Sequence, residues 1–175
     1  MKTLAALSGA LLLLGIFTLG PGLLNPASAE DRSVTTVPVD RSQLDPDTLS
    51  EADWKAILTA HEFHILRKKG TERAFTGRYW DEKAAGTYHC AACGQPLFDS
   101  RTKFKSGTGW PSFWESLPGA IGTKPDNSLF MTRTEVHCRR CGGHFGHIFD
   151  DGPQPTGKRH CINGVALAFK PGETA

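Results

Sequence analysis

Hydrophobic and polar positions change their spacing three times along this chain. Residues 4–24 form an almost unbroken apolar run, interrupted by glycines and Pro21 and preceded by Lys2. Residues 30–46 then carry Thr, Ser, Pro and Asp with few large apolar side chains, the composition of a flexible lead-in. From Ser50 the spacing turns helical: Trp54, Ile57, Leu58, His61 and Ile65 fall on one stripe, which suits core packing better than a ligand site. Ser50 followed by Asp53 is close to a capping box, so a helix starts there, and Gly70 ends it. Beyond Gly70, short segments rich in aromatic and β-branched residues alternate with Gly, Pro, Asn and Asp turns. Strands are expected over residues 88–91, 96–98, 129–132, 135–138, 145–149 and 160–169. The fold class predicted is mainly β and antiparallel, with an N-terminal helix.

The apolar run ends in Ala27-Ser28-Ala29 before Glu30, the layout of a secretory signal with cleavage near Ala29. Its length also allows an uncleaved anchor, but the small residues at 27 and 29 favour cleavage. No twin arginine precedes it, which makes general export the simpler route. The expected organisation is a signal peptide over 1–29, the lead-in over 30–46, and one domain over 47–171, periplasmic or secreted. No second hydrophobic span follows, so the mature chain is expected to need no membrane. With 20 Lys and Arg against 18 Asp and Glu, the chain lacks the electrostatic footprint of a nucleic-acid binder. Arg67-Lys68-Lys69 and Arg139-Arg140 read as solvated faces rather than phosphate sites.

Cysteine changes the picture most. Cys90 and Cys93 make one Cys-x-x-Cys, Cys138 and Cys141 make a second, and each pair is followed by glycine. Two such knuckles supply the four thiolates of a tetrahedral structural zinc site and would clip hairpins together. Two rivals stay open. A redox dithiol prefers a helix N-terminus, which neither pair opens, and export allows two disulfides. Either way Cys161 is left over, and an odd cysteine in an exported protein pairs between chains or reacts.

The neighbours of Cys161 favour reaction. In a strand, Arg159, Cys161 and Asn163 share one face, so a cation and an amide flank the sulfur while His160 and Ile162 point away. A nearby cation raises the thiolate fraction of a thiol that is otherwise mostly protonated at neutral pH. Residues 143–152 (GHFGHIFDDG) place His144, His147 and two carboxylates among glycines. Residues 106–113 (SGTGWPSF) present Trp110 on a stiff turn. With four thiols for zinc, the histidines suit acid–base or water-holding roles.

Taken together, the Gly70-Thr71-Glu72 turn, both knuckles, SGTGWPSF, GGHFGHIFDDGP and RHCINGVALAF make the chain resemble the B-type methionine sulfoxide reductases across about residues 49–169. The resemblance implies two antiparallel sheets clipped by one zinc ion, with the catalytic cysteine far from the metal. It implies an oxidoreductase that acts as a monomer on methionine-R-sulfoxide in oxidised proteins, and on the free form as well. Carried over by position, Cys161 matches the nucleophile, Arg159 and Asn163 its neighbours, and His144, His147 and Asp151 the polar lining. Trp110 and Phe149 match the substrate-binding wall. Cys90, Cys93, Cys138 and Cys141 match the metal ligands.

The chain departs from that pattern at two positions. Thr108 stands where many members carry a recycling cysteine, so the sulfenic acid left on Cys161 is expected to need an external thiol, either thioredoxin-like or small. His160 replaces the usual aromatic residue behind the nucleophile. Two other function classes compete: a zinc-ribbon binding module, which the balanced charge and the Cys161 row disfavour, and another thiol enzyme such as a peroxidase.

Overall fold

The structure, a computed structural model, describes residues 40–128 and 131–172. The expected signal and the first part of the expected lead-in lie outside the described residues. From Asp40 the chain is pinned rather than loose: 3-10 turns at Arg41–Gln43 and Pro46–Thr48 are each capped by an aspartate side chain. The Arg41 guanidinium hydrogen-bonds the Ala91 and Ile57 carbonyls, and Arg140 donates to the Ser42 and Leu44 carbonyls. Composition marked this stretch as flexible, but its two arginine tethers hold residues 40–46 against the domain.

The helical stripe is two helices, α1 (Glu51–Ile57) and α2 (Ala60–Lys68). A second capping box breaks it, Thr59 with Glu62, alongside the expected Ser50 with Asp53. Each supplies a competing N-terminus, so the chain turns at Leu58 while Trp54, Leu58, Ile65 and Leu66 stay buried. Lys69, at φ 55°, ends α2. The basic clusters are braces rather than solvated faces: Arg67 pairs with Glu51 and the Cys141 carbonyl, Lys69 with buried Glu135, and Arg140 with the Cys93 carbonyl.

Among the described residues nine strands follow: β1 (Gly86–Cys90), β2 (Pro96–Asp99), β3 (Lys103–Phe104), β4 (Ser112–Phe113), β5 (Ile121–Asp126), β6 (Arg133–Cys138), β7 (His144–Phe149), β8 (Arg159–Ile162) and β9 (Leu167–Pro171). They form two antiparallel sheets, ordered β2-β1-β9 and β3-β4-β8-β7-β6-β5. The strand expected over 129–132 is absent at Met131 and Thr132, and its first two residues lie outside the described ones. The long strand expected over 160–169 is β8 and β9, parted by a 3-10 turn at Gly164–Ala166 that carries the chain from one sheet to the other. Any Cβ at Gly164 would meet the Arg78 carbonyl at 2.0 Å, so this crossing needs glycine.

Between the sheets lies an aromatic core. Phe98 of the smaller sheet stacks on Phe113 of the larger at 4.3 Å, and Tyr88 meets Phe113 edge-on at 4.9 Å. Phe145, Ile162, Leu97 and Leu167 complete it, each fully buried. Such side chains stabilise by roughly 2–3 kcal/mol apiece, and here they fix the sheet that carries Cys161. Among the described residues no helix is long and apolar enough to cross a membrane.

Candidate active site and metal centre

Register sets the site. On the larger sheet Cys161 pairs with Ser112 of β4 on one side and His147 of β7 on the other; His147 pairs in turn with Glu135 of β6, and Glu135 with Lys124 of β5. Directly opposite residues share a face, so these five side chains form a polar row across the sheet. A bulge in β7, where the register slips between Val136 and His137, turns His144 onto the same side as His147. Their rings stand 5.6 Å apart, edge to face. The bulge needs Gly146, since a Cβ there would sit 2.0 Å from the Cys161 carbonyl oxygen.

Cys161 opens into a cleft of about 140 Å³ lined by Thr71, Trp110, Arg133, Gly146, His147, Phe149 and Asn163. That is room for a thioether side chain with one oxygen. Trp110 also borders a larger cavity of about 480 Å³, but this one holds neither the thiol nor a histidine, whereas the smaller holds both. The fixed wall follows from hydrogen bonding: Trp110 donates its indole N–H to the Glu72 carbonyl at 3.1 Å. Glu72 is a residue whose role the sequence did not disclose. Its amide donates to Asn163 Oδ1, and its carboxylate accepts from the Gly164 and Val165 amides, so one buried residue, through backbone and side chain together, ties Trp110, Asn163 and the turn after β8.

Of the expected site residues, Cys161, Asn163, His147, Trp110 and Phe149 line the cleft, whereas His144, Arg159 and Asp151 stand behind it. His144 is buried, with Nδ1 bonded to Glu135 at 3.0 Å, and burial lowers its pKa against the pull of that carboxylate. Asp151 does not point at the cleft. It grips Arg159 in a two-pronged pair, 2.8 and 2.9 Å, while the guanidinium lies 4.4 Å over the Phe149 ring. Arg159 is thereby held beside the thiol.

Even so, Cys161 is not the ready thiolate that the neighbouring cation suggested. Burial pushes its thiol above the usual range; the Arg159 charge and hydrogen bonds from Thr108 and Arg159 pull the other way without cancelling it. The Thr108 hydroxyl is backed by Ser106 at 2.9 Å, and Ser106 by Ser112 at 2.8 Å. His160, the unusual residue, points into the core, bonded to the Phe113 carbonyl.

Remote from this cleft, two knuckles bring Cys90 and Cys93 from the β1–β2 hairpin against Cys138 and Cys141 from the β6–β7 hairpin. The four sulfurs lie within 4.8 Å of one another, with Cys90–Cys141 at 3.7 Å and Cys93–Cys138 at 3.6 Å. Zn–S bonds of about 2.3 Å place tetrahedral sulfurs about 3.8 Å apart, so these residues fit a zinc ion; a disulfide would require about 2 Å. Gly94 and Gly142 take φ of 72° and 70°, which curls their amides back onto the Cys90 and Cys138 carbonyls. Cys138 is three residues along β6 and two strands across from the Cys161 row, on the order of 10 Å in each direction.

Comparison with known proteins agrees with this geometry. The SelR domain matches residues 58–171. Peptide methionine sulfoxide reductase MsrB of Methanosarcina mazei is 57% identical over 121 residues, covering 69% of this chain and 86% of that protein. The proteins of the same name from Agrobacterium fabrum and a Synechococcus strain are 54% and 53% identical, over 70% and 75% of this chain and 91% and 98% of their own lengths.

Proposed function

Because the chain belongs to the methionine sulfoxide reductase B family, an oxidoreductase family, we propose that it repairs the R epimer of methionine sulfoxide in oxidised proteins, with Cys161 as nucleophile and one structural zinc ion on its four other cysteines. One observation carries the reading: the single cysteine outside the metal cluster opens into a cleft with an apolar wall, Trp110 and Phe149, facing polar groups on His147 and Asn163. The wall takes the methyl group and the polar side takes the oxygen, so only one arrangement around the chiral sulfur seats both. Cys161 attacks the sulfoxide sulfur, the S–O bond breaks, and methionine leaves with Cys161 as a sulfenic acid. A peroxidase would have no use for a wall shaped to a thioether.

Reduction back to the thiol then calls for an external donor. Thr108 touches the nucleophile but offers no sulfur, and the other four thiols are committed to the metal. Two equivalents of thiol return Cys161, one disulfide and water, and the donor is thioredoxin-like or a small thiol. Export by the leader sets this monomeric enzyme to work outside the cytoplasm, where N-terminal sequencing should find a mature chain beginning near Glu30.

The test is one turnover without reductant. The R epimer should yield one methionine per enzyme and one added oxygen on Cys161 by peptide mass, the S epimer neither, and Cys161→Ser neither. Equal use of both epimers would overturn the substrate reading, and a Cys161 disulfide within the chain would overturn the external donor. Thr108→Cys should form that disulfide, because its position already contacts the sulfur.

A further inference from the structure

Arg133, which lines the cleft, and Asp126, which is bonded to it, have no part in the roles assigned so far. Asp126 closes β5 at the edge of the larger sheet, yet its carboxylate reaches across β6 to His147 on β7, with Oδ2 2.7 Å from Nε2. The same oxygen accepts from Arg133 Nη2 at 2.9 Å, while Oδ1 accepts from the Ser128 amide at 3.1 Å. Arg133 also donates to the Ser128 hydroxyl. This carboxylate is therefore fixed by two partners, Arg133 and Ser128, besides the imidazole. Hydrogen bonds from His147 and Ser128 hold its pKa well below the ordinary carboxylate range, so it is ionised at any working pH.

An ionised carboxylate only accepts, which puts the proton of neutral His147 on Nε2 and leaves Nδ1 as an open acceptor. Across the strand pair from that ring lies Cys161, whose thiol burial keeps protonated. A protonated thiol needs a base, and the remaining neighbours are unsuited: Arg159 is a cation, Thr108 a hydroxyl, and His144 and Glu135 are engaged with each other.

We infer that Asp126 is a positioning residue that fixes the tautomer of His147, so that Nδ1 takes the Cys161 proton as the sulfur attacks and returns it to the sulfoxide oxygen. The step balances without a co-reactant. The thiol S–H breaks and Nδ1–H forms; sulfur bonds to sulfur, and the oxygen takes the proton from Nδ1; the hydroxyl then passes to Cys161, the S–S and S–O bonds at the methionine sulfur breaking as an S–O bond forms on Cys161, so enzyme thiol plus sulfoxide end as enzyme sulfenic acid plus methionine. This deepens the function proposed above and rests on it. A nucleophile, a base on its hydrogen-bonding side, and a third group that orients the base make up the general logic of activated nucleophiles.

Asp126→Asn is the discriminating variant. An amide has one acceptor oxygen for partners that now use two, and turning its NH2 toward the ring would force the opposite tautomer. Single-turnover methionine formation should slow by about a hundredfold, the usual scale of positioned proton transfer, with the half-saturating substrate concentration little changed. Nitrogen-15 NMR of the imidazoles should find neutral His147 protonated at Nε2 in the wild-type chain and at Nδ1 in the variant. The wild-type spectrum needs no mutant to fold, and a neutral ring protonated at Nδ1 would overturn the inference. So would a folded Asp126→Asn chain with an unchanged single-turnover rate. If the wild-type chain reduces neither epimer, the proposed function itself fails; if it reduces the R epimer while either result above is found, only the role of Asp126 fails.

Discussion

The proposed function asks Cys161 to be both sheltered and reactive, and its neighbours divide that conflict among themselves. Shelter raises the thiol, while Arg159, clamped by Asp151 and lying over Phe149, limits the rise. One position behind it, His160 pays no part in the chemistry and shows instead in stability. It is buried against Phe98 at 5.8 Å and bonded through Nδ1 to the Phe113 carbonyl, and burial lowers its pKa against that hydrogen bond. A histidine whose folded pKa is depressed contributes stability that is fully present above its unfolded value of about 6.5, and this is lost as pH falls through the folded value. His160→Phe removes that contribution, so its Tm should fall less than the wild-type Tm as pH drops below about 6.5. At neutral pH it should be less stable by about 1 kcal/mol, for the carbonyl left unpaired. Parallel curves of Tm against pH would rule the coupling out. The row Arg159, Cys161, Asn163 was legible because a strand repeats every two residues. Glu72 was not, for its bond to Asn163 spans 91 residues and no local period announces it. Asp126 and Arg133 were hidden likewise, reaching the site from a neighbouring hairpin.

Element by element, the sequence disclosed periodicity and missed whatever interrupts it. One helical stripe became two helices because Thr59 and Glu62 repeat the capping chemistry of Ser50 and Asp53 inside it. One long strand became β8 and β9 because Glu72 caps the amides of Gly164 and Val165. Two-residue strands such as β3 and β4 are too short to show alternation at all. The interruption with most consequence is the bulge in β7, which puts both imidazoles on the reactive face and brings the backbone of Gly146 against Cys161. Gly146→Ala must push β7 from β8, since the clash is with backbone rather than a pliant side chain. It should cost at least about 3 kcal/mol by denaturant unfolding and remove most activity. Gly119→Ala, at φ 68° with open space around it, is the control, expected to lose about 1 kcal/mol with an unchanged rate. Comparable losses from the two would mean that backbone conformation, not the approach to Cys161, explains the glycine.

Across the domain, the four-cysteine cluster and the proposed nucleophile divide their labour by position. Cys90 and Cys93 come from the β1–β2 hairpin of the three-stranded sheet, Cys138 and Cys141 from the β6–β7 hairpin of the six-stranded one, so an ion held by all four would clip the two layers together. Arg67 and Arg140, donating to the Cys141 and Cys93 carbonyls, extend the clip to α2 and to the residues ahead of α1. Thiolate zinc contributes on the order of 10 kcal/mol, as much as the net stability of a typical domain, so its loss should separate the sheets rather than merely dull the enzyme. Cys93→Ser is expected to lose zinc and its cooperative thermal transition together, and a strong chelator should do the same to the wild-type chain. Cys161→Ser should keep both and lose only turnover. Zinc content and a melting curve on the three samples separate the roles. A Cys93→Ser chain that melts at the wild-type temperature with its metal in place would show that the two layers hold without the clip, and the aromatic stack of Phe98 on Phe113 would then carry the junction alone.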